Sequence, residues 1–262
     1  MTPYWVHFCV NEVTTIGDWA CYNGVVKDSF DFMDGRGEVP AHRHLNPDGS
    51  LGGWVADTAL VSKDAYIGSE VRVFQNAQII GSPTIINLAR VFGDAKVCDN
   101  ATLYDEAEVF DNAYVYGKAV LRDYARVYVN GKVRDEASVT GNASVSGDAK
   151  LGGRARIGGD AAMMFDEAIV EGDAHISENA LIFGNAMVAG WAEIRGSAQV
   201  CEFASVAGWA VLEGQVKAFG RVRIGGEARF GGKERLGGER SFVNSNSDSL
   251  SAIIMLDETI GI

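Results

Sequence analysis

The strongest constraint on this chain is an Ala-x-Val-x-Gly-x hexad held in one register over most of its length. It starts at Ala59, runs to Ala161, and after one extra residue resumes at Ala168 and continues to Ala228. Of its 29 hexads, 18 precede the slip and 11 follow it; Ala fills the first position in 24, and Val, Ile or Leu the third in 26. A period so short and strict describes a solenoid, because no ordinary globular core needs it. Residues two apart in a strand share a face, so Ala119 and Leu121 point one way and Val120 and Arg122 the other. The fifth position is mostly Gly or Asp and the sixth often Asn, Asp or Glu, residues that accept the left-handed backbone of a tight corner. One hexad is thus a short strand plus a corner, and three hexads close a triangular coil.

A slower modulation supports three unequal faces. The fourth position of every third hexad reads Phe74, Phe92, Phe110, Tyr128, Ser146, Met164, Phe183, Cys201 and Phe219, while the other two columns at that position hold no Phe or Trp. The single longer step is assigned to a residue inserted within Met163–Glu167. The expected architecture is all-β: a single-stranded, three-sided parallel β-helix of about ten coils, on the order of 45 Å long at the usual strand spacing. The repeat occupies residues 59–233, between an N-terminal cap of residues 1–58 and a C-terminal cap or tail of residues 234–262.

This pattern resembles the hexapeptide-repeat superfamily of left-handed parallel β-helices. Its common hexad places the small or acidic residue directly after the aliphatic; here it comes one later, as in Val115-Tyr116-Gly117 and Val145-Ser146-Gly147. The variant, preceded by Leu51-Gly52-Gly53-Trp54-Val55, looks like a bacterial and phage subgroup of YdcK-type proteins, many of them labelled transferases. The resemblance implies a trimer, and for its enzymes an acyl-CoA donor lying between protomers and an outward His as general base. Only His175 lies within the repeat. Its column neighbours are Arg156 and Glu193, so Glu193 would orient the imidazole and Arg156 or Arg195 would meet an anionic ligand. No long loop that could grip an acyl donor interrupts the hexads.

The ends are less regular. Val6–Val10 reads as a strand, and Asn23-Gly24 as a hairpin turn. Residues 31–47 read as a polar loop, whose His42 and His44 lack a third metal ligand, so no metal site is expected. Trp54 is expected to lie over the open first coil, since terminal repeats need a lid. Residues 233–247 read as a loop, and the apolar stretch 249–262 as a cap or a partner-binding segment. Cys9, Cys21, Cys98 and Cys201 show no ligand spacing and read as free thiols in a reducing cytoplasm. The opening residues lack the pattern of a signal peptide, and no apolar run is long enough to span a membrane.

The net charge of −12 disfavours direct binding of nucleic-acid phosphate. Corner acids such as Asp64, Glu70, Asp94, Glu106, Glu136, Asp148, Asp160 and Asp173 read first as turn chemistry and second as a possible imitation of nucleic acid. The aromatic column is the better candidate surface, with Arg72, Arg90, Glu108, Arg126, Ser144, Ala162, Leu181, Gln199 and Lys217 as its outward neighbours. Phe rows beside Arg suit a protein interface. Self-cover, homo-oligomerisation and a foreign partner are all open. Trp191 and Trp209 form a second apolar pair. The favoured reading is a non-catalytic scaffold that self-associates, with a trimer as one form, or binds a protein partner, with no cofactor. The alternatives are an acyl-CoA-dependent acyltransferase using His175, Glu193 and Arg156, and an acidic inhibitor that mimics nucleic acid.

Overall fold

The computed structural model describes residues 14–16, 19–22 and 25–245. Among these residues every regular element is a strand, and the strands form three parallel sheets. We name the sheets by their outward residues. The arginine face holds eleven coil strands from Leu51–Ala56 to Arg235–Leu236, led by four antiparallel strands. The histidine face has ten strands, from Tyr66–Ile67 to Arg229–Phe230, and the lysine face eleven, from Leu60–Val61 to Ser241–Val243. Each strand pairs in parallel with the one a coil later, as in Arg90↔Glu108 and Val91↔Val109. Eleven coils, separated by ten steps of about 4.8 Å, make a rod rising about 48 Å. The expected three-sided β-helix is therefore the fold.

The hexad explains the cross-section. First-position Ala and third-position aliphatics such as Ala119, Leu121, Ala137 and Val139 are fully buried, so the two inward side chains of each strand fill the triangle. Each coil buries about three aliphatic side chains, at roughly 1.5–3 kcal/mol apiece. Backbone N–H groups at the second, fourth and sixth positions donate to the coil ahead, as in Arg126 N to Ala143 O (3.1 Å), Tyr128 N to Val145 O (3.1 Å) and Asn130 N to Gly147 O (3.0 Å).

The fifth-position N–H points elsewhere, and where the coil before carries an acid at that corner, the acid satisfies it. Asp99 Oδ2 accepts from Gly117 N (3.0 Å), Asp123 from Gly141 N (2.9 Å) and Asp135 from Gly153 N (3.0 Å). These aspartates hold φ near +60°, the left-handed conformation that Asp tolerates better than most residues. Asp at this position thus turns the corner and caps an otherwise orphaned donor one coil on. Val129 takes the same conformation at φ 59° without either aptitude.

Four expectations change. The extra residue lies in the corner 158–161, one strand earlier than expected. Ala162 and Met164 are fully buried, Met163 faces out, and Ser144–Val145 pairs with Met163–Met164. The aromatic column therefore continues through Phe165, and Met164 and Ala162 belong to the core. Trp54 is not a lid: it pairs with Arg72 at an outward position and stacks on Phe30 at 4.7 Å. Residues 38–45 are a strand, not a loop, antiparallel to Val25–Asp31. Within 233–245, which was expected to be loop, coil strands continue at Arg235–Leu236 and Ser241–Val243, because Leu236 and Phe242 occupy inward third positions and are buried. The hairpin expected at Asn23-Gly24 is consistent with the pairing of Tyr22 with Val25. Val6–Val10 and 249–262 lie outside the described residues.

Both ends of the core carry polar devices. His44 and Asn46 are buried against the first strand of the histidine face: His44 Nε2 meets Ala65 O at 3.1 Å, while Asn46 accepts from Ile67 N (2.8 Å) and donates to Ile67 O (3.1 Å). Side chains here substitute for a missing strand. In the last coil Glu234 and Arg240 take the first hexad position, which Ala holds in most coils, and Phe230 and Phe242 meet edge to face at 5.5 Å. Charge at a terminal coil opposes edge-to-edge addition of another chain.

Candidate functional site

The aromatic column is a ladder before it is a surface. In-register coils place equivalent residues one strand spacing apart, which is also the separation at which rings stack. Phe74–Phe92, Phe92–Phe110 and Phe110–Tyr128 have centroids 4.9, 4.9 and 5.0 Å apart, with planes within 8° of parallel. Phe165 and Phe183 repeat this at 5.0 Å. Ser146 and Cys201 interrupt the ladder, and Phe219 lies beyond, with the Arg235 guanidinium 5.2 Å from its ring centre. At the N-terminal end the protein covers its own column: Phe32 stacks on Phe74 at 5.0 Å, and Phe30 meets Phe32 edge-on. Phe92, Phe110, Tyr128, Phe165, Phe183 and Phe219 are half-buried.

Beside the ladder, Glu108 is only 8% exposed and lies between two arginines. It pairs with Arg90 and, at 3.2 Å, with Arg126 Nε. The one carboxylate thus holds two of the arginines that border the column.

The most exposed rings gather in the later coils. In the three coils spanning 162–209, Met163 and Leu181 on the arginine face, Phe165, Phe183 and Phe203 at the next corner, Ile169 and Met187 on the lysine face, and the Trp191/Trp209 pair form one apolar band. Phe203 and Trp209 are 61% and 57% exposed, and Met187 and Trp191 both 47%. The two tryptophans stack at 5.1 Å with planes 4° apart. Arg154 lies 5.9 Å from the Trp191 ring centre and Arg221 6.0 Å from that of Phe203, so cations border the band. Phe203 gave no column signal, because its column neighbours, Asn185 and Arg221, are not aromatic.

On the histidine face, Arg156, His175 and Glu193 stand in register on successive strands, as their spacing implied. The side chains do not join: His175 is exposed, and the partner recorded for Glu193 is Arg195 Nη1 at 4.0 Å. Arg195 in turn binds Glu213 (Nη2, 2.6 Å). A shallow depression of about 480 Å³ lies beside His175, lined by Val120, Arg122, Glu136, Ser138, Thr140, Arg156, Gly158 and His175.

Other polar groups have structural partners. Asp94 and Asp148 accept from Asn76 and Asn130, both at 3.1 Å, and Asp173 from Arg154 at 2.9 Å. His42 Nδ1 lies 2.9 Å from Asp57, and burial pushes the pKa of His44 below the usual imidazole value. Cys98 and Cys201 are buried free thiols, and loss of solvent raises the pKa of each. Among the described residues no three His, Cys, Asp or Glu side chains gather as a metal site needs. No helix of the described residues is long and apolar enough to cross a membrane.

Compared with known proteins, the chain matches no family model, and the search of curated proteins returns no match. A six-residue code written mainly in Ala, Val and Gly carries fold rather than lineage. The likeness to hexapeptide-repeat proteins therefore rests on the parallel β-solenoid.

Proposed function

We propose that this protein is a non-catalytic, rigid scaffold that associates with copies of itself through the apolar band of coils 162–209. The observation that carries the reading is the concentration of exposed Met163, Met187, Trp191, Phe203 and Trp209 in three successive coils. Exposed apolar side chains grouped in neighbouring coils beside arginine have the composition of an interface core and its border. A second copy suits it because both rods repeat side chains at the same strand spacing, so rows interlock along their length. A trimer about the rod axis is the closed form of that arrangement.

Sedimentation and light scattering test this with Trp191→Glu/Phe203→Glu. Both positions are exposed, so the monomer fold should survive while the assembly falls to monomer. If wild type is a monomer at tens of micromolar, or if the double variant keeps the wild-type mass, the reading is wrong.

A further inference from the structure

We propose that the depression on the histidine face binds a small molecule bearing an oxyanion, a phosphate or a carboxylate. The site lies away from the apolar band and does not depend on self-association. Its floor is Ser138, Thr140 and Gly158, and Arg122, Arg156, His175 and Glu136 stand around it.

The first argument is unsatisfied donors. Five arginines on the neighbouring coils are paired: Arg90 and Arg126 with Glu108, Arg134 with Glu171, Arg154 with Asp173, Arg195 with Glu213. Among the described residues, the guanidinium of Arg156, the ring of His175 and the hydroxyls of Ser138 and Thr140 have no such partner. The contact of Arg122 is the Tyr104 ring, 5.6 Å from its guanidinium. These donors come from four successive coils and converge on one hollow. The carboxylate at the rim, Glu136, is engaged by Lys118 Nζ at 3.6 Å, so the hollow stays locally positive in a chain of net charge −12.

The second argument is the glycine. Gly158 has no positive φ, so its backbone does not require glycine. A Cβ there would come 2.4 Å from Thr140 Oγ1, so the missing side chain makes room for the hydroxyl and keeps the floor open. Arg122 and Arg156 lie two coils apart, about 10 Å along the rod. One oxyanion fits between them, with the hydroxyls beneath. Guanidinium groups bind such oxygens in pairs, and the strength of these charge-assisted bonds suits a site open to water. The volume of about 480 Å³ admits a small metabolite rather than a polymer.

Calorimetric titration at low ionic strength with inorganic phosphate and, separately, malonate tests the site. Saturable one-to-one binding of at least one probe is expected. Arg156→Gln or Arg122→Gln should weaken it at least tenfold. Gly158→Val should abolish it with every charge retained. Arg223→Gln, which removes an exposed charge from the lysine face, should change it less than twofold. Binding of phosphate alone identifies a phosphate-bearing ligand, of malonate alone a carboxylate, and of both the shared oxyanion chemistry. No saturable heat with either probe overturns the proposal, as does an Arg223→Gln loss equal to that of Arg156→Gln. If Gly158→Val fails to fold, the two exposed arginine variants decide the matter.

Discussion

Removing one rung of the aromatic ladder separates a structural column from an interface. Phe110 stacks on Phe92 at 4.9 Å and on Tyr128 at 5.0 Å, with interplanar angles of 2° and 5°. Each aromatic pair is worth about 0.5–1.5 kcal/mol beyond its buried area, so Phe110→Ala forfeits about 1–3 kcal/mol of stacking. The ring is half-buried, which adds about 1 kcal/mol of lost burial. The expected cost in urea unfolding is therefore about 2–4 kcal/mol, independent of protein concentration. Phe165 has one stacking partner, Phe183, and Phe165→Ala should cost less, about 1.5–2.5 kcal/mol. A Phe92→Ala/Phe110→Ala cycle should show a coupling of about 0.5–1.5 kcal/mol. Additivity within about 0.3 kcal/mol, or a single-variant cost below about 0.5 kcal/mol, would refute the ladder. A loss that appears only where dilution dissociates the protein would instead make the column an intermolecular contact.

Three further outcomes follow from the same geometry. Val139 is fully buried between Leu121 and Ile157 of adjacent coils, so Val139→Asp should cost more than about 4 kcal/mol or split the unfolding curve, whereas Ser138→Asp, facing out next to it, should shift stability by less than about 1 kcal/mol. Val129→Asn should raise stability by about 1 kcal/mol, since Asn accepts the left-handed conformation that a β-branched residue resists; an unchanged urea midpoint would count against that strain. His44 has its pKa lowered by burial, with opposing help from Ala65 O and a minor contribution from His42. As pH falls below about 6.5, the unfolded chain takes up the proton before the folded one does, so stability should drop through that window and level off below the lowered folded value. His44→Gln, which can still donate to Ala65 O, should flatten this part of the stability–pH profile, and an identical slope in the variant would remove His44 as its source.

The hexad by itself determined the solenoid, its triangular section and the inward Ala-x-Val pairs, because a strand alternates faces by covalent geometry and a six-residue step leaves few ways to close. It also placed Arg156, His175 and Glu193 in line, since register in a parallel stack is arithmetic. It did not decide where the extra residue sits: Ala161-x-Met163 and Ala162-x-Met164 satisfy the pattern equally, and only packing sent Met164 inward and Phe165 out. Nor did it show that the hairpin strands fold Phe30 and Phe32 onto the column, a contact between segments with no shared period. Periodicity reports which way a side chain points, not what it touches. Whether Phe110 offers a face to a partner or to Phe92, whether Glu193 meets His175 or Arg195, and whether Asp99 faces water or caps Gly117 are settled by distances between coils, and only the tertiary structure supplies those distances.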